Sequence, residues 1–234
     1  MKPVSAFITN IWDDFSALLF PLICVNCRKV LLTNEYHICT KCQIALPVTN
    51  YHKRLNDNPV YNDLKIMENL QGAAAYLKYN KHGVAQNVLY KLKYKGGYTL
   101  GVHFGRLYGS HLVDCINVDC IVPVPIHPKK LNKRGYNQCM AIAEGLQQYL
   151  EIPIYSDAIS RVKQTATQTK NDKVDRWRAM TDVFAVKDHE ILAGKRVLLV
   201  DDVITTGATM YALSCAIDLC QPTSITVVAL ASGK

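Results

Sequence analysis

Val197-Leu198-Leu199-Val200-Asp201-Asp202-Val203-Ile204-Thr205-Thr206-Gly207-Ala208-Thr209 is the stretch whose reading decides the fold. It opens as a short run of valine and leucine, the pattern of a strand buried on both faces of a parallel sheet. Two carboxylates stand where that strand ends. Hydroxyls and one glycine follow, and then a helical pattern through Met210, Leu213, Ile217 and Leu219. Strand, acidic tip, Thr/Gly loop and helix N-terminus together make a phosphate–ribose site. The loop N–H groups and the positive end of the helix suit an anion, and the threonine hydroxyls can donate to its oxygens. Asp201 and Asp202 can accept from two vicinal ribose hydroxyls. A P-loop needs Gly-Lys-Ser/Thr, and this loop has no lysine. A dinucleotide fingerprint needs three spaced glycines, and Gly207 stands alone. An ordinary strand–turn–helix with capping aspartates explains less, because this combination is rarely needed for structure alone.

Upstream, Cys120-Ile121-Val122-Pro123-Val124-Pro125 reads as a second buried strand, and Ser224 to Ala231 as a third. A strongly basic loop follows the second: His127, Lys129, Lys130, Lys133 and Arg134, then Gly135-Tyr136-Asn137-Gln138. Ligands of open α/β sheets bind at the carboxyl ends of the strands, so this loop and the Thr/Gly loop should face one crevice. Gly72 to Tyr79 is strand-like. Val84, Val88, Leu89 and Leu92 mark one helix, Leu100, Phe104, Leu107, Tyr108 and His111 another, and Cys139, Ile142, Ala143, Leu146 and Leu150 a third. Buried strands with helices between them predict an α/β fold with a mostly parallel sheet. Arg161 to Gln168 and Asp175-Arg176-Trp177-Arg178 read as a basic, polar hood over the crevice.

The N-terminal part has a different character. Val4 to Phe20 has the spacing of an amphipathic helix that Pro21 ends. Its polar face lacks the lysines and arginines of a membrane-surface helix. Cys24-Val25-Asn26-Cys27 and Cys39-Thr40-Lys41-Cys42 then offer four soft thiolates, the set that tetrahedral zinc prefers. A single Cys-x-x-Cys is compatible with a redox pair, but two so close together point to metal. Four cysteine ligands leave no open position, so the Zn²⁺ is structural, held in a compact knuckle with a small hairpin near Val30 to His37. His37 is a minor alternative to Cys39. The domain reading is residues 1–50 for helix and four-cysteine zinc-binding module, 51–70 for a linker and lead-in loop, and 71–234 for the main domain.

With 234 residues, 49% hydrophobic and 20% charged, the chain can bury one good core and is not a disordered polymer. A net charge of +8 permits nucleic acid, nucleotides or anionic substrates without selecting among them. The apolar run Ala17 to Ile23 follows Asp13 and Asp14 and is too short to span a bilayer. These features predict reduced or metal-bound cysteines, no membrane span and a cytoplasmic location.

The Val197–Thr209 stretch closely resembles the motif that binds 5-phosphoribosyl-1-pyrophosphate (PRPP) in type I phosphoribosyltransferases. Over nearly its whole length the chain resembles the ComF (ComFC) family of competence-associated phosphoribosyltransferase-like proteins. The resemblance rests on the twin Cys-x-x-Cys pairs after Leu19-Phe20-Pro21 and on Val122 to Pro128. It also rests on Lys133-Arg134-Gly135-Tyr136-Asn137-Gln138, on Arg161 with Thr165 and Gln168, and on the opening motif. It implies a type I phosphoribosyltransferase-like sheet flanked by helices, PRPP binding, and a role in DNA uptake with single-stranded DNA and a DNA-uptake helicase as partners. On this reading Thr205, Thr206, Gly207, Ala208 and Thr209 hold the 5-phosphate. Asp201 and Asp202 serve the ribose and the cationic ring that forms on it, as catalytic residues if transfer occurs. Lys129, Lys130 and Arg134 offset the pyrophosphate, and Mg²⁺ is held largely by PRPP oxygens and water. Three residues after Arg176, where the family commonly has asparagine, this chain has Ala179. Two other readings stay open: a metabolic phosphoribosyltransferase acting on a nucleobase or amine, and a nucleic-acid binding module without catalysis.

Overall fold

A computed structural model describes residues 21–94, 96–162 and 183–234. The expected helix over Val4 to Phe20, and Thr165, Gln168, Arg176 and Ala179, lie outside the described residues. The chain divides into two compact units, Met1–Leu46 and Pro47–Lys234.

In the smaller unit an antiparallel bridge joins Ile23 to Val30, and the short helix α1 spans Thr40–Ile44. The larger unit runs α2 (Pro59–Leu64), β1 (Leu70–Lys78), α3 (Val84–Leu92), α4 (Tyr98–Leu112), β2 (Cys120–Pro123), α5 (Pro128–Arg134) and α6 (Gln138–Leu150). It continues with β3 (Ile159–Arg161), β4 (Phe184–Val186), β5 (Arg196–Ile204), α7 (Ala208–Asp218) and β6 (Ser224–Ser232). Four strands form a sheet in the order β1-β6-β5-β2, and every pairing in it is parallel. Parallel strands need crossovers that cover both faces, which is why β5 reads as continuous apolar sequence instead of alternating. On one face Val197 and Leu199 join a buried cluster with Leu64 of α2 and Met210, Leu213 and Ile217 of α7. α4 and α6 also pack on the sheet, α6 against β5 and β2, and Tyr108 of α4 stacks on Tyr76 of β1 at 5.0 Å. α4 and α6 meet closely because Gly105 and Gly145 face each other's backbones; a Cβ at either would collide with the opposite helix.

Register places the two loops of interest together. Pro123, the last residue of β2, pairs with Val200, and the Val124 N–H donates to the Val200 carbonyl at 2.9 Å. The chain therefore leaves β2 level with the residue before Asp201. At the opposite end the same two strands are pinned by Asp119 and Arg196. Oδ2 of Asp119 accepts from the Arg196 N–H at 2.7 Å and Oδ1 from its Nη2 at 2.5 Å.

Three expectations differ from the structure. The basic segment after β2 is the helix α5, not a loop: Nδ1 of His127 accepts from the Lys129 N–H at 3.2 Å, Pro128 stands in the first turn, and Gly135 closes it at φ +84°. Residues 51–70 are no free tether. They carry a 3-10 turn at Tyr51–Lys53 and then α2, whose cap Asn58 accepts from the Val60 and Tyr61 N–H groups and donates to the Ala73 carbonyl at 2.7 Å. The helix after the Thr/Gly loop ends at Asp218, leaving Leu219 exposed. The antiparallel pair β3–β4 was not anticipated; three residues per strand give too short a period to read.

Candidate functional site

β5 carries its two carboxylates to the carboxyl edge of the sheet and then turns at Thr205 and Thr206, both exposed. Gly207 takes φ +78° as the N-cap of α7 and supplies no capping side chain, which leaves the first N–H groups of the helix to the loop concavity. Among the described residues, only the Thr206 hydroxyl approaches one of them, Ala208 N–H, at 3.5 Å. Asp201 and Val203 through Met210 line a pocket there. The predicted Thr205, Thr206, Gly207, Ala208 and Thr209 are thus gathered in one concave turn. Glycine is required twice over at 207. A side chain disfavours that φ, and a Cβ would stand 2.5 Å from Cδ2 of Leu64, which floors the loop from α2.

Asp201 and Asp202 differ in environment. Asp201 is 9% exposed; its Oδ1 accepts from the Asp202 N–H at 2.8 Å and faces Sγ of Cys139 at 3.4 Å. Burial, reinforced by the neighbouring Asp202 charge, pushes its carboxyl up to about 7. Asp202 is half-buried, with Oδ2 3.4 Å from Nε2 of Gln138. The first two residues of α6 therefore each serve one carboxylate. Asn137 fixes that terminus: its Oδ1 accepts from the Cys139 N–H at 3.0 Å, and its Nδ2 donates to the Val124 carbonyl at 3.0 Å. Gln138 and Cys139 were not singled out as site residues from sequence. A buried glutamine beginning an otherwise apolar helical face is the signal that could have found the first.

Among the predicted cations, Lys130 is near enough to Asp202 to feel its charge, and Arg134 is near enough to Lys130 to act on it. Lys130 is exposed by surface area but partly desolvated at its head, and that desolvation, followed by the charges of Arg161 and Arg134, holds it below its usual range, with Asp202 acting in the opposite sense. Arg161, at the end of β3, is lowered chiefly by burial and supported by the charge of Asp201; its guanidinium also lies 5.4 Å from the Phe184 ring centroid. Lys129 is exposed on α5. The edge thus sets two carboxylates and an N–H-rich turn against a cationic helix, an arrangement suited to a polyanion bearing a sugar.

In the smaller unit Cys24, Cys27, Cys39 and Cys42 bring their sulfurs within 4.8 Å of one another, and those of Cys27 and Cys39 are 3.6 Å apart. Zinc–sulfur bonds of about 2.3 Å at tetrahedral angles set sulfurs about 3.8 Å apart, so the cluster could hold a metal ion such as zinc. The thiols behave unequally. Burial opposes ionisation of Cys24, but the N–H groups of Cys39, Cys27 and Asn26 outweigh it and bring the thiol down to about 6. Cys42 goes up to about 12, through burial and the sulfurs it faces. Ionising all four thiols in one spot would take a cation to offset the charge. The cluster contains Cys39 and not His37.

Residues 136–234 match the family described as phosphoribosyl transferase domain. Among known proteins the chain is 39% identical over 98 residues to Competence protein F of Haemophilus influenzae, a match covering 41% of this chain and 42% of that one. It is 27% identical over 214 residues to DNA utilization protein YhgH of Escherichia coli, covering 82% of this chain and 89% of the relative. Competence protein ComFC of Bacillus subtilis is 24% identical over 213 residues, covering 87% and 81%. A solved glutamine PRPP amidotransferase from B. subtilis, complexed with ADP and GMP, aligns at 16% identity with a TM-score of 0.40, over 56% of this chain and 26% of that chain. The chain has relatives named for competence and DNA utilization over most of its length, and it carries a phosphoribosyl transferase domain. Among the described residues, no helix is long and apolar enough to cross a membrane.

Proposed function

We propose that this chain binds PRPP with Mg²⁺ at the carboxyl edge of its sheet and acts in the cytoplasm on incoming DNA during uptake. The observation that carries the reading is the register of β2 on β5, which sets the cationic helix α5 beside the diacid and the Thr/Gly turn. In this reading Thr205 to Thr209 take the 5-phosphate on loop N–H groups and hydroxyls. Asp202 accepts from a ribose hydroxyl, and Asp201 holds it in place while completing the acidic tip. Lys130 and Arg134, with Lys129 at the rim, offset pyrophosphate. Mg²⁺, if bound with PRPP, supplies charge neutralisation of the leaving group; the protein contributes position and a prearranged field. The four-cysteine module holds one structural zinc. The DNA role follows the names of the relatives, and the net charge of +8 favours a polyanionic partner.

Isothermal titration with PRPP tests the ligand. Saturable, Mg²⁺-dependent heat is expected for wild type and none for Asp201→Asn/Asp202→Asn. A flat wild-type titration would remove PRPP from the account.

A further inference from the structure

We propose that the exposed tyrosine pair Tyr90 and Tyr94, with Lys91 and Lys93 beside it, is a docking strip for single-stranded DNA that leads toward the basic helix α5. The inference rests on the DNA-handling reading above and supplies it with a surface.

α3 buries Ala85, Val88, Leu89 and Leu92, which turns Tyr90 and Lys91 outward. Tyr90 is 62% exposed and Tyr94, just beyond the helix, is 49% exposed. Their ring centroids lie 4.6 Å apart at a tilt of 47°, so the two phenols lean on each other as one exposed aromatic patch with two differently oriented faces. Lysines interleave with them: Lys91 is exposed and Lys93 is half-buried.

The pair is also tied to the basic helix. The Tyr136 hydroxyl, two residues past α5, donates to the Leu92 carbonyl at the end of α3. The Tyr98 ring meets Tyr136 edge-on at 5.5 Å. Lys93 is near enough for its charge to act on Lys130, which in turn feels the charge of Asp202. A strand laid on the tyrosines therefore meets cations in succession toward the diacid edge.

Aromatic faces interleaved with cations select single strands, because only unpaired bases present their π-faces for stacking while the backbone tracks the charges. Duplex DNA hides those faces. An anionic bilayer would call for leucine, phenylalanine or tryptophan on the outward face, where this surface has phenols and lysines.

Fluorescence anisotropy with a labelled oligothymidylate tests the strip. Wild type should bind saturably, and more tightly than to a duplex of the same length. Each of Tyr90→Ala and Tyr94→Ala should weaken binding roughly five- to 150-fold, the span set by base–aromatic stacking. Tyr90→Phe/Tyr94→Phe, which keeps the rings, should retain affinity. Lys91→Ala/Lys93→Ala should flatten the log–log salt slope by about 1.4, two single-strand phosphate contacts. PRPP titration of the same variants should be unchanged, so failure of PRPP binding and failure of the strip are separate results. An oligoribonucleotide in place of DNA, bound more tightly, would assign the strip to RNA and overturn the DNA reading. Wild type that does not bind at low salt, alanine variants that bind normally, a preference for duplex, or tighter binding to phosphatidylserine vesicles would each overturn the proposal.

Discussion

Replacing Gly207 by alanine exposes how the ligand loop is held. Its φ of +78° costs a residue with a Cβ about 1–2 kcal/mol. The new methyl would stand 2.5 Å from Cδ2 of Leu64 and 4.0 Å from the Asp63 carbonyl. Leu64 is fully buried and cannot swing into solvent, so overpacking adds about 1–3 kcal/mol. The expected loss is therefore about 2–5 kcal/mol, a large fraction of the roughly 5–15 kcal/mol of a typical domain. Leu64→Ala alone should cost about 2–5 kcal/mol by opening a cavity. In Gly207→Ala/Leu64→Ala the methyl has room while the backbone penalty remains. The double variant should thus be about 1–3 kcal/mol more stable than the sum of the singles implies. Urea unfolding followed by circular dichroism gives all four midpoints, and PRPP affinity should fall in Gly207→Ala and partly recover in the double variant. Gly207→Ala within about 0.5 kcal/mol of wild type, or simple additivity, would refute the packing of α2 beneath the loop.

Two further outcomes follow from the titrating groups and the thiols. Asp201 carries a raised pKa, about 7, so the folded state holds its proton more tightly than the unfolded chain does. Its contribution is complete below about pH 4 and is lost as pH rises toward 7, at about 1.4 kcal/mol for each pH unit crossed. His52, lowered by burial and then by the His111 charge, acts in the opposite sense and weakens the fold as pH falls through its unfolded value. The difference in urea midpoint between wild type and Asp201→Asn, which cancels His52, should therefore favour the variant increasingly from pH 5 to pH 7; a difference constant with pH would show that Asp201 titrates normally. For the four-cysteine cluster, plasma mass spectrometry should find about one zinc per chain. Cys27→Ser, at the one exposed member, should lose it. Protein isolated folded and metal-free would contradict a structural zinc.

The parallel sheet was legible because burial on both faces writes itself as uninterrupted apolar runs, as in Val197 to Val200 and Val227 to Ala231. The Thr/Gly turn was legible for a related reason: a sharp turn from a buried strand into a helix restricts its residues locally, as the φ of +78° at Gly207 shows. What escaped depends on contacts distant in sequence. Asn58 caps α2 while reaching β1, and Leu64 floors a loop more than a hundred residues later; neither leaves a periodic trace in the polar stretch 51–70. Gln138 read as the end of the basic loop and Cys139 as the start of an ordinary amphipathic helix, and only the fold brings their side chains to Asp202 and Asp201. The basic segment read as a loop because its cap is a histidine, an uncommon choice for an N-cap. Tyr90 and Tyr94 drew no attention in sequence, since only the fold shows that both rings face water and each other.

The central claim is that PRPP sits on the Thr/Gly turn with its pyrophosphate toward α5. Amide-resolved NMR titration with PRPP and Mg²⁺ tests location and binding together. The account predicts the largest, saturable shifts at the N–H groups of Thr205 to Thr209, with smaller ones at Lys130 and Arg134 and none in Asp201→Asn/Asp202→Asn. Saturable binding whose shifts fall elsewhere, or no shifts at millimolar PRPP, would contradict it.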